Sequence, residues 1–302
     1  MKLPFDFGIR FILRLAAPGA LLAAVLLPAT RLLAALIYPG LHEAALLTTS
    51  GLILGFAFLL LDMPIYMVLE GRRFWPEPIR QWAVGRQAAA LASIMSRANA
   101  ASGARKVEFD IQASQYPLDR ASGEPNATYP TRLGNLLASF ETYPTVKYGL
   151  DGVFFWPRLW VAIDKDLREE LDSAQAVVDG ALYASFAFAI SAPLCLCYWR
   201  WLPSLQWWHW PAGAFCCGIL AVVCYRLALP RYAQYGELFK ATFDQFGAKL
   251  ALDDAFLAQL DTYMGETRSR SDREAHRARW RFLRWHLYRR PGAPSNETVK
   301  NW

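Results

Sequence analysis

Four long apolar runs constrain this chain more than any other feature, because each approaches the length of a helix that crosses a lipid bilayer. They cover about residues 15–37, 44–61, 180–198 and 210–229. The second run has no charged residue from Ala44 to Leu61, and about 20 apolar residues are needed to cross about 30 Å of hydrocarbon. Short links join the first run to the second and the third to the fourth. The sequence therefore predicts two membrane-spanning hairpins of α-helix.

The segments between and after the hairpins are polar enough to lie in water. Hydrophobic residues make up 54% of the chain, which is high for a soluble protein and low for a protein embedded throughout its length. The predicted organisation is a first hairpin at residues 1–70, an inserted domain at 71–179, a second hairpin at 180–229 and a C-terminal helical tail at 230–302.

Lysine and arginine residues favour one orientation of the hairpins. Arg72 and Arg73 follow the second run, and Arg226 and Arg231 close the fourth, whereas the two hairpin turns are almost without cations. Because cytoplasmic loops of membrane proteins are enriched in Lys and Arg, both termini, the inserted domain and the tail are predicted to be cytoplasmic.

The inserted domain is predicted to be α+β. The alanine-rich stretch Ile79 to Asn99 favours a helix, and Val107, Phe109 and Ile111 alternate with acids across Lys106 to Gln112, as in a half-buried strand. A loop is expected from Gln115 to Pro130. A short helix then begins at Arg132 and is expected to end at Tyr143-Pro144, because proline disfavours a helical residue before it.

The apolar stretch from Gly149 to Trp160 is predicted to be extended. After it, Asp164 is a good N-cap for a helix that has no breaker before Gly180. That helix is expected to continue into the third span. An amphipathic helix is expected to continue from the fourth span over Arg231 to Leu260.

The densest group of unusual residues is PTRLGNLLASFETYPTVKYGLDGVFFWPRLW, Pro130 to Trp160. It resembles a signature of an uncharacterised bacterial four-span membrane protein family, as does YAQYGELFKATFD, Tyr232 to Asp244. Phe246 departs from the basic residue expected there. The resemblance implies four spans with a cytoplasmic domain, and hence a bacterial inner membrane, but no reaction.

The architecture has a second, looser similarity to membrane channel effectors of bacterial anti-phage defence systems, without a shared motif. Those proteins form pores that respond to a nucleotide or oligonucleotide. This similarity implies a channel controlled by an anionic ligand.

The sequence lacks the common signatures of catalysis. It has no phosphate-binding loop, no glycine-rich dinucleotide turn, no zinc-protease motif and no nucleophile elbow. The five cysteines lie in apolar runs without supporting histidines. Asp151 is interpreted as an acceptor of backbone N–H groups rather than as an acid or base. We therefore expect no enzyme, no metal site and no cofactor.

Asp62, Thr48 and Thr49 are candidate pore-lining residues in the second run. An ionisable group at membrane depth is costly, so by default it faces a pore or a partner. A ring of Asp62 carboxylates around a shared axis would favour cations. The alternative is that Asp62 is hydrated at the cytoplasmic interface near Arg72 or Arg73.

Gly51 and Gly55 form a Gly-x-x-x-Gly motif in the same run, which lets two helices approach closely in lipid. The pattern fits packing within one chain and contact between chains equally well. Four spans are few to enclose a pathway for a solute within one chain, so a pore would form between copies. The chain is therefore expected to be a homo-oligomer.

Five cations are candidates to bind an anionic ligand. Two directly follow the second apolar run, and three lie in the stretch Pro130 to Trp160. Arginine suits phosphate because its planar guanidinium donates two parallel hydrogen bonds. The five cations are Arg72, Arg73, Arg132, Lys147 and Arg158. The alternative is that they pair with Glu141, Asp151, Asp164 and Asp166 or with lipid headgroups.

Arginines alternate with aromatic residues near the C-terminus, a composition suited to an anionic membrane surface or to nucleic acid. A surface is the favoured partner because the chain is already anchored to a membrane. The residues of this basic tail are Arg277, Arg279, Trp280, Arg281, Arg284 and Trp285.

The sequence thus predicts an all-α membrane part with a small α+β cytoplasmic domain, acting as a homo-oligomeric channel or pore gated by a nucleotide or oligonucleotide. The second hypothesis is a non-conducting membrane anchor that recruits a cytoplasmic protein.

Overall fold

The computed structural model describes residues 9–37, 42–119, 122–148, 151–201, 208–246 and 262, and helices dominate these residues. A helical turn, Ile9–Phe11, and a π-helical stretch, Ile12–Ala16, lead into the first long helix. The nine numbered helices are α1 Ala17–Ile37, α2 Glu43–Leu60, α3 Asp62–Leu69, α4 Glu77–Ala100, α5 Ala104–Ala113, α6 Arg132–Tyr148, α7 Gly152–Ala162, α8 Lys165–Trp201 and α9 His209–Phe246.

The prediction of four membrane helices is confirmed at the level of length and composition. Four helical segments are long and apolar enough to cross a bilayer, namely Ile12–Ala35, Glu43–Leu60, Lys165–Tyr198 and His209–Phe246. The unbroken helix from Lys165 into the third span is confirmed. The helix that continues from the fourth span is confirmed as far as Phe246, and the rest of that prediction lies outside the described residues.

The described residues form two compact units. The first comprises the described parts of residues 1–87, 129–136 and 165–238, and the second those of 88–128, 137–164 and 239–302. The first unit thus contains the apolar parts of all four spanning helices.

Glycines allow the first two spanning helices to touch through their backbones. A methyl group at Gly19 would overlap the carbonyl oxygen of Gly51, and one at Gly55 would overlap the carbonyl oxygen of Leu15. Small residues permit such close crossings in lipid. In this structure Gly51 and Gly55 therefore pack within one chain, against α1 and the π-helical stretch before it.

The second unit has two small cores. Leu91 and Ile94 of α4 pack with Ala113, Tyr116 and Ala127, and Met95 and Phe109 lie against them. The other core is aromatic: Trp156 of α7 lies 4.4 Å from Phe239, and Phe140 of α6 lies 5.3 Å from the same ring, measured between centroids.

The predicted α+β character of the inserted domain is wrong for the residues that the structure describes, because these include no strand. The segment predicted as a strand, Lys106 to Gln112, lies in α5. Val107 and Ile111 are four residues apart and so share a helical face as readily as a strand face. Three alternating residues are too few to distinguish the two periods.

Two further local predictions are wrong. The stretch predicted as extended, Gly149 to Trp160, forms helix α7 from Gly152 onward. The side chain of Asp151 caps that helix, accepting the N–H of Phe154 at 2.9 Å, which confirms its interpretation as an acceptor of backbone N–H groups. Pro144 does not end α6, which continues to Tyr148.

Candidate functional site

A buried ion pair joins the first spanning segment to α8. Nε of Arg14 donates to Oδ2 of Asp179 at 2.7 Å, and Nη1 of Arg14 donates to Oδ1 of Asp172 at 2.7 Å. The side chain of Asp179 is 5% exposed and that of Arg14 is 23% exposed. The pair therefore has little access to solvent and links two segments that are 165 residues apart.

The local backbone explains how Arg14 reaches α8. Arg14 lies in the π-helical stretch, whose extra residue per turn is marked by the bond from the N–H of Ala17 to the carbonyl of Ile12. Such single π turns within α-helices frequently mark functional sites. Gly180 lets the backbone of Leu13 approach, because a methyl group there would lie 2.9 Å from the Leu13 carbonyl oxygen. Close backbone contact and ion pairing thus occur side by side.

Two more side chains complete this arrangement, which we call the charge network: Arg10, Arg14, Tyr66, Asp172 and Asp179. The hydroxyl of Tyr66 in α3 donates to Oδ1 of Asp179, and Nη1 of Arg10 donates to Oδ2 of Asp172 at 2.6 Å. Both oxygens of each carboxylate accept a donor. The network's chemistry is therefore charge pairing between helices, and among the described residues no group of His, Cys, Asp and Glu side chains suits a metal ion.

Asp62 has a partner within its own chain. It is the first residue of α3, directly after the break between α2 and α3 at Leu61, and Oδ1 accepts the hydroxyl of Tyr183 in α8 at 2.6 Å. The Asp62 carboxylate is half-buried. This places Asp62 at the end of the second span, next to the third.

Thr48 and Thr49 lie on a face of α2 that the other described residues leave uncovered. The hydroxyl of Thr48 donates to the carbonyl of Ala44 at 2.8 Å, so its polar group is satisfied by its own helix. Further along the helix the same face is apolar. The residues of this uncovered face, which we call the α2 face, are Thr48, Thr49, Leu52, Ile53, Phe56 and Leu60, all exposed.

Three of the five candidate anion-binding cations lie in the first unit. Nε of Arg72 is 2.6 Å from Oε2 of Glu70, and its guanidinium lies 5.1 Å from the ring centre of Tyr129. Arg73 is exposed. Arg132 is half-exposed at the first position of α6. Arg72 is thus already neutralised, whereas Arg73 faces solvent.

Lys147, in the second unit, belongs to an exposed cluster with two tyrosines and an acid. Its Nζ donates to the hydroxyl of Tyr143 at 2.6 Å and to Oδ1 of Asp244 at 3.1 Å, and the hydroxyl of Tyr148 donates to the same carboxylate. Hydrogen bonding to Tyr143 first, and then to Tyr148 and Asp244, raises the pKa of Lys147 above its ordinary value. The charge of Lys147 is therefore compensated by Asp244.

Arg158, also in the second unit, is held by its own helix. Nη1 donates to the carbonyl of Phe154 at 3.0 Å, and the guanidinium lies 4.2 Å from the ring centre of Phe154. The basic tail, Arg277 to Trp285, lies outside the described residues.

The charge network was missed by the sequence reasoning, although a signal for it exists. Arg10 and Arg14 stand at the start of the first apolar run, and Asp172 and Asp179 stand just before the third. If the first and third spans run in the same direction, these opposite charges meet at one end of the bundle. Tyr66 carries no such signal, because a tyrosine beside an apolar run is common.

No protein-family model, no curated protein and no solved structure matches the chain.

Proposed function

We propose that the chain forms a homo-oligomeric membrane channel or pore, lined by the α2 faces of several copies and gated by an anionic ligand. The observation that favours it is the order of residues along that face. Hydroxyls at Thr48 and Thr49 come first, then the apolar Leu52, Ile53 and Phe56, and Asp62 follows at the start of α3. One chain has too few spans to enclose such a pathway, so neighbouring copies supply the other walls.

A constriction of apolar side chains closes a pore by expelling water, and it opens when the constriction widens enough to be wetted. Phe56 is the largest side chain of the α2 face. In the proposed pore a ring of Phe56 side chains forms the closed gate. The carboxylate of Asp62 at the mouth draws cations toward it.

The ligand, the setting and the orientation belong to the proposal as well. The ligand is an anion such as a nucleotide or oligonucleotide, and Arg73 and Arg132 are its first candidate contacts. A role in anti-phage defence is proposed from the architectural similarity alone, and a bacterial inner membrane from the sequence resemblance alone. The positions of Arg72, Arg73, Arg226 and Arg231 favour termini in the cytoplasm.

Single-channel recording in planar bilayers tests the gate with Phe56→Ser. Exposing a phenyl ring to water when the gate opens costs about 1.5–3 kcal/mol. Replacing the ring by serine removes this cost, so the open probability rises by about tenfold or more. The matched control is Phe215→Ser on α9, where a phenyl ring that is also exposed lies on another span. Equal open probabilities in the two variants contradict a gate at Phe56.

The same bilayers test the cation preference and the ligand. Asp62→Asn keeps a hydrogen-bond acceptor for Tyr183 but removes the charge, so the preference for cations over anions falls. ATP and short oligonucleotides are added to each side of the wild type, and a change of open probability that Arg73→Gln abolishes supports an anionic ligand. A change that persists in Arg73→Gln removes Arg73 from the proposed site.

The second candidate function is a membrane anchor that recruits a cytoplasmic protein. It is favoured by the chemistry of the uncovered span surfaces, which are apolar beyond Thr48 and Thr49 on α2 and include Phe215, Ile219, Val222 and Leu227 on α9. Such surfaces suit lipid as well as a neighbouring copy. If neither the wild type nor Phe56→Ser gives channel currents with any of the added ligands, the anchor is the favoured function.

A further inference from the structure

Three large apolar side chains are exposed just after the second spanning helix and its extension α3. Phe74 is 75% exposed, Ile79 is 51% exposed and Trp82 is 62% exposed. Ile79 and Trp82 are three residues apart in α4 and so lie on the same helical face. Arg86, four residues further on, is also exposed. We call residues 73–86 the exit segment.

The backbone at Phe74 is strained, within a turn that hydrogen bonds hold on both sides: the N–H of Arg73 donates to the carbonyl of Met67 and Nε1 of Trp75 donates to the carbonyl of Val68. The φ angle of Phe74 is 65°, in the left-handed region that bulky side chains avoid because the Cβ approaches the following carbonyl. A strained residue persists where its surroundings stabilise it. The flanking hydrogen bonds supply that stabilisation, and the turn they hold leaves the phenyl ring of Phe74 exposed.

The charges of the exit segment suit an anionic surface. The segment has three arginines, Arg73, Arg80 and Arg86, and one acid, Glu77, which pairs with Arg80 at 3.3 Å. The Arg86 guanidinium lies 5.1 Å from the ring centre of Trp82, so an apolar ring and a cation are presented together. This combination of tryptophan and arginine is typical of the membrane–water interface.

The start of the exit segment is fixed near the end of the fourth span's apolar run. Gly134 packs against the carbonyl oxygen of Glu70, and Gly71 packs against the ring of Pro130. The N–H of Leu133, next to Gly134, donates to the hydroxyl of Tyr225 at 3.1 Å. Tyr225 precedes Arg226, the first cation of α9. The exit segment therefore begins where a spanning helix acquires its first charge.

We propose that the exit segment is an interfacial lipid-binding site. Phe74, Ile79 and Trp82 insert into the headgroup region of the bilayer, and Arg73, Arg80 and Arg86 bind the phosphates of anionic lipids. This site shares Arg73 with the proposed ligand contacts. Its other residues depend on neither the channel nor the gating ligand, and an anchor protein would have them as well.

Photolabelling of the full chain tests the proposal. The protein is reconstituted in vesicles of phosphatidylcholine and phosphatidylglycerol that contain a trace of phosphatidylcholine with a diazirine next to its headgroup. After illumination, trypsin releases residues 74–80 and 81–86 as separate peptides, because cleavage follows Arg73, Arg80 and Arg86. Both peptides are expected to carry lipid adducts, as the spanning helices do.

An internal control comes from α5, where Val107 and Ile111 are 57% and 56% exposed. They are as uncovered as Ile79 but lie beside Glu108 and Asp110, which an anionic surface repels. The peptide that begins at Val107 is therefore expected to carry far fewer adducts. If residues 74–86 carry no more adducts than this peptide while the spans are labelled, the proposal is wrong.

The arginine contribution is measured with Arg86→Gln, read on the unchanged peptide 74–80. In anionic vesicles the adduct yield falls by up to about fivefold, the effect of removing one basic residue from an anionic surface. In vesicles of phosphatidylcholine alone it stays at the wild-type level. An equal yield for wild type and variant in anionic vesicles overturns the headgroup contact of Arg86.

Discussion

The carboxylate of Asp179 holds two donors at once, the Nε of Arg14 and the hydroxyl of Tyr66. Removing this carboxylate leaves a largely buried guanidinium with one counter-charge, Asp172, in place of two. Breaking one side of a buried pair costs about 3–5 kcal/mol, whereas replacing both partners by apolar groups is often neutral.

Asp179→Ala is therefore expected to lower the free energy of unfolding by about 3–5 kcal/mol. The double variant Arg14→Met, Asp179→Leu is expected to recover most of that loss. Equilibrium unfolding in mixed detergent micelles measures both. Single and double variants of equal stability would show that the pair contributes nothing beyond its separate side chains.

An exposed ion pair within α8 supplies the control for this comparison. Lys165 and Glu169 are 3.5 Å apart, with side chains 82% and 55% exposed. Because exposed pairs contribute only about 0–1 kcal/mol, Lys165→Gln should leave stability almost unchanged. A loss as large as that of Asp179→Ala contradicts the assignment of the large effect to burial.

The sequence shows the signs of these charges but not their pairing. Arg14 and Asp179 are separated by 165 residues, and nothing local in either segment identifies the other. The same limit applies to Asp62, which the sequence makes a candidate pore residue and whose carboxylate the structure brings against Tyr183. By contrast, the cap at Asp151 is local, and its interpretation as a backbone acceptor is confirmed.

At the scale of helices, the crossing of the first two spanning segments rests on three glycines with unequal space around them. Gly19 and Gly55 touch backbone carbonyls, whereas the nearest atom to a methyl group at Gly51 would be 3.5 Å away, on Ala20. Of these three positions, only Gly51 therefore has space for the methyl group of alanine.

We expect Gly55→Ala and Gly19→Ala each to destabilise the protein by about 1–3 kcal/mol, the usual cost of overpacking. Gly51→Ala should be neutral or slightly stabilising, because alanine favours a helix by about 0.5–1 kcal/mol over glycine. Thermal unfolding in detergent ranks the three variants. If Gly51→Ala is as harmful as Gly55→Ala, the crossing differs from this structure.

Long apolar runs identify helices reliably from sequence. A short alternation of apolar and polar residues does not distinguish a strand from a helix. The four spans and the continuous start of α8 follow from runs that no strand could match in length. In α5 the three alternating apolar residues fit either period. In α7 the apolar, aromatic run of Val153 to Trp156 resembles a strand, yet the cap at Asp151 starts a helix. Local capping outweighs β propensity there.

At the scale of the whole molecule, the uncovered apolar surface of the spans suits contact with lipid and contact with another copy equally well. The charge network and the Asp62–Tyr183 bond give these described carboxylates partners within one chain. These carboxylates therefore need no second copy to compensate them. What favours assembly is the proposed function, because a single α2 face cannot enclose a path.

Disulfide crosslinking in membranes decides whether α2 faces meet. Ile53→Cys is placed on the α2 face of a variant whose five native cysteines are replaced by serine, and mild oxidation is expected to yield covalent dimers. The control is Ile219→Cys on α9, an isoleucine on another span that is also exposed. A pore lined by α2 brings copies of residue 53 toward a common axis, while residue 219 has no such requirement. Dimers that form equally at both positions, or at neither, contradict a pore lined by α2, and the membrane anchor then becomes the better account of these helices.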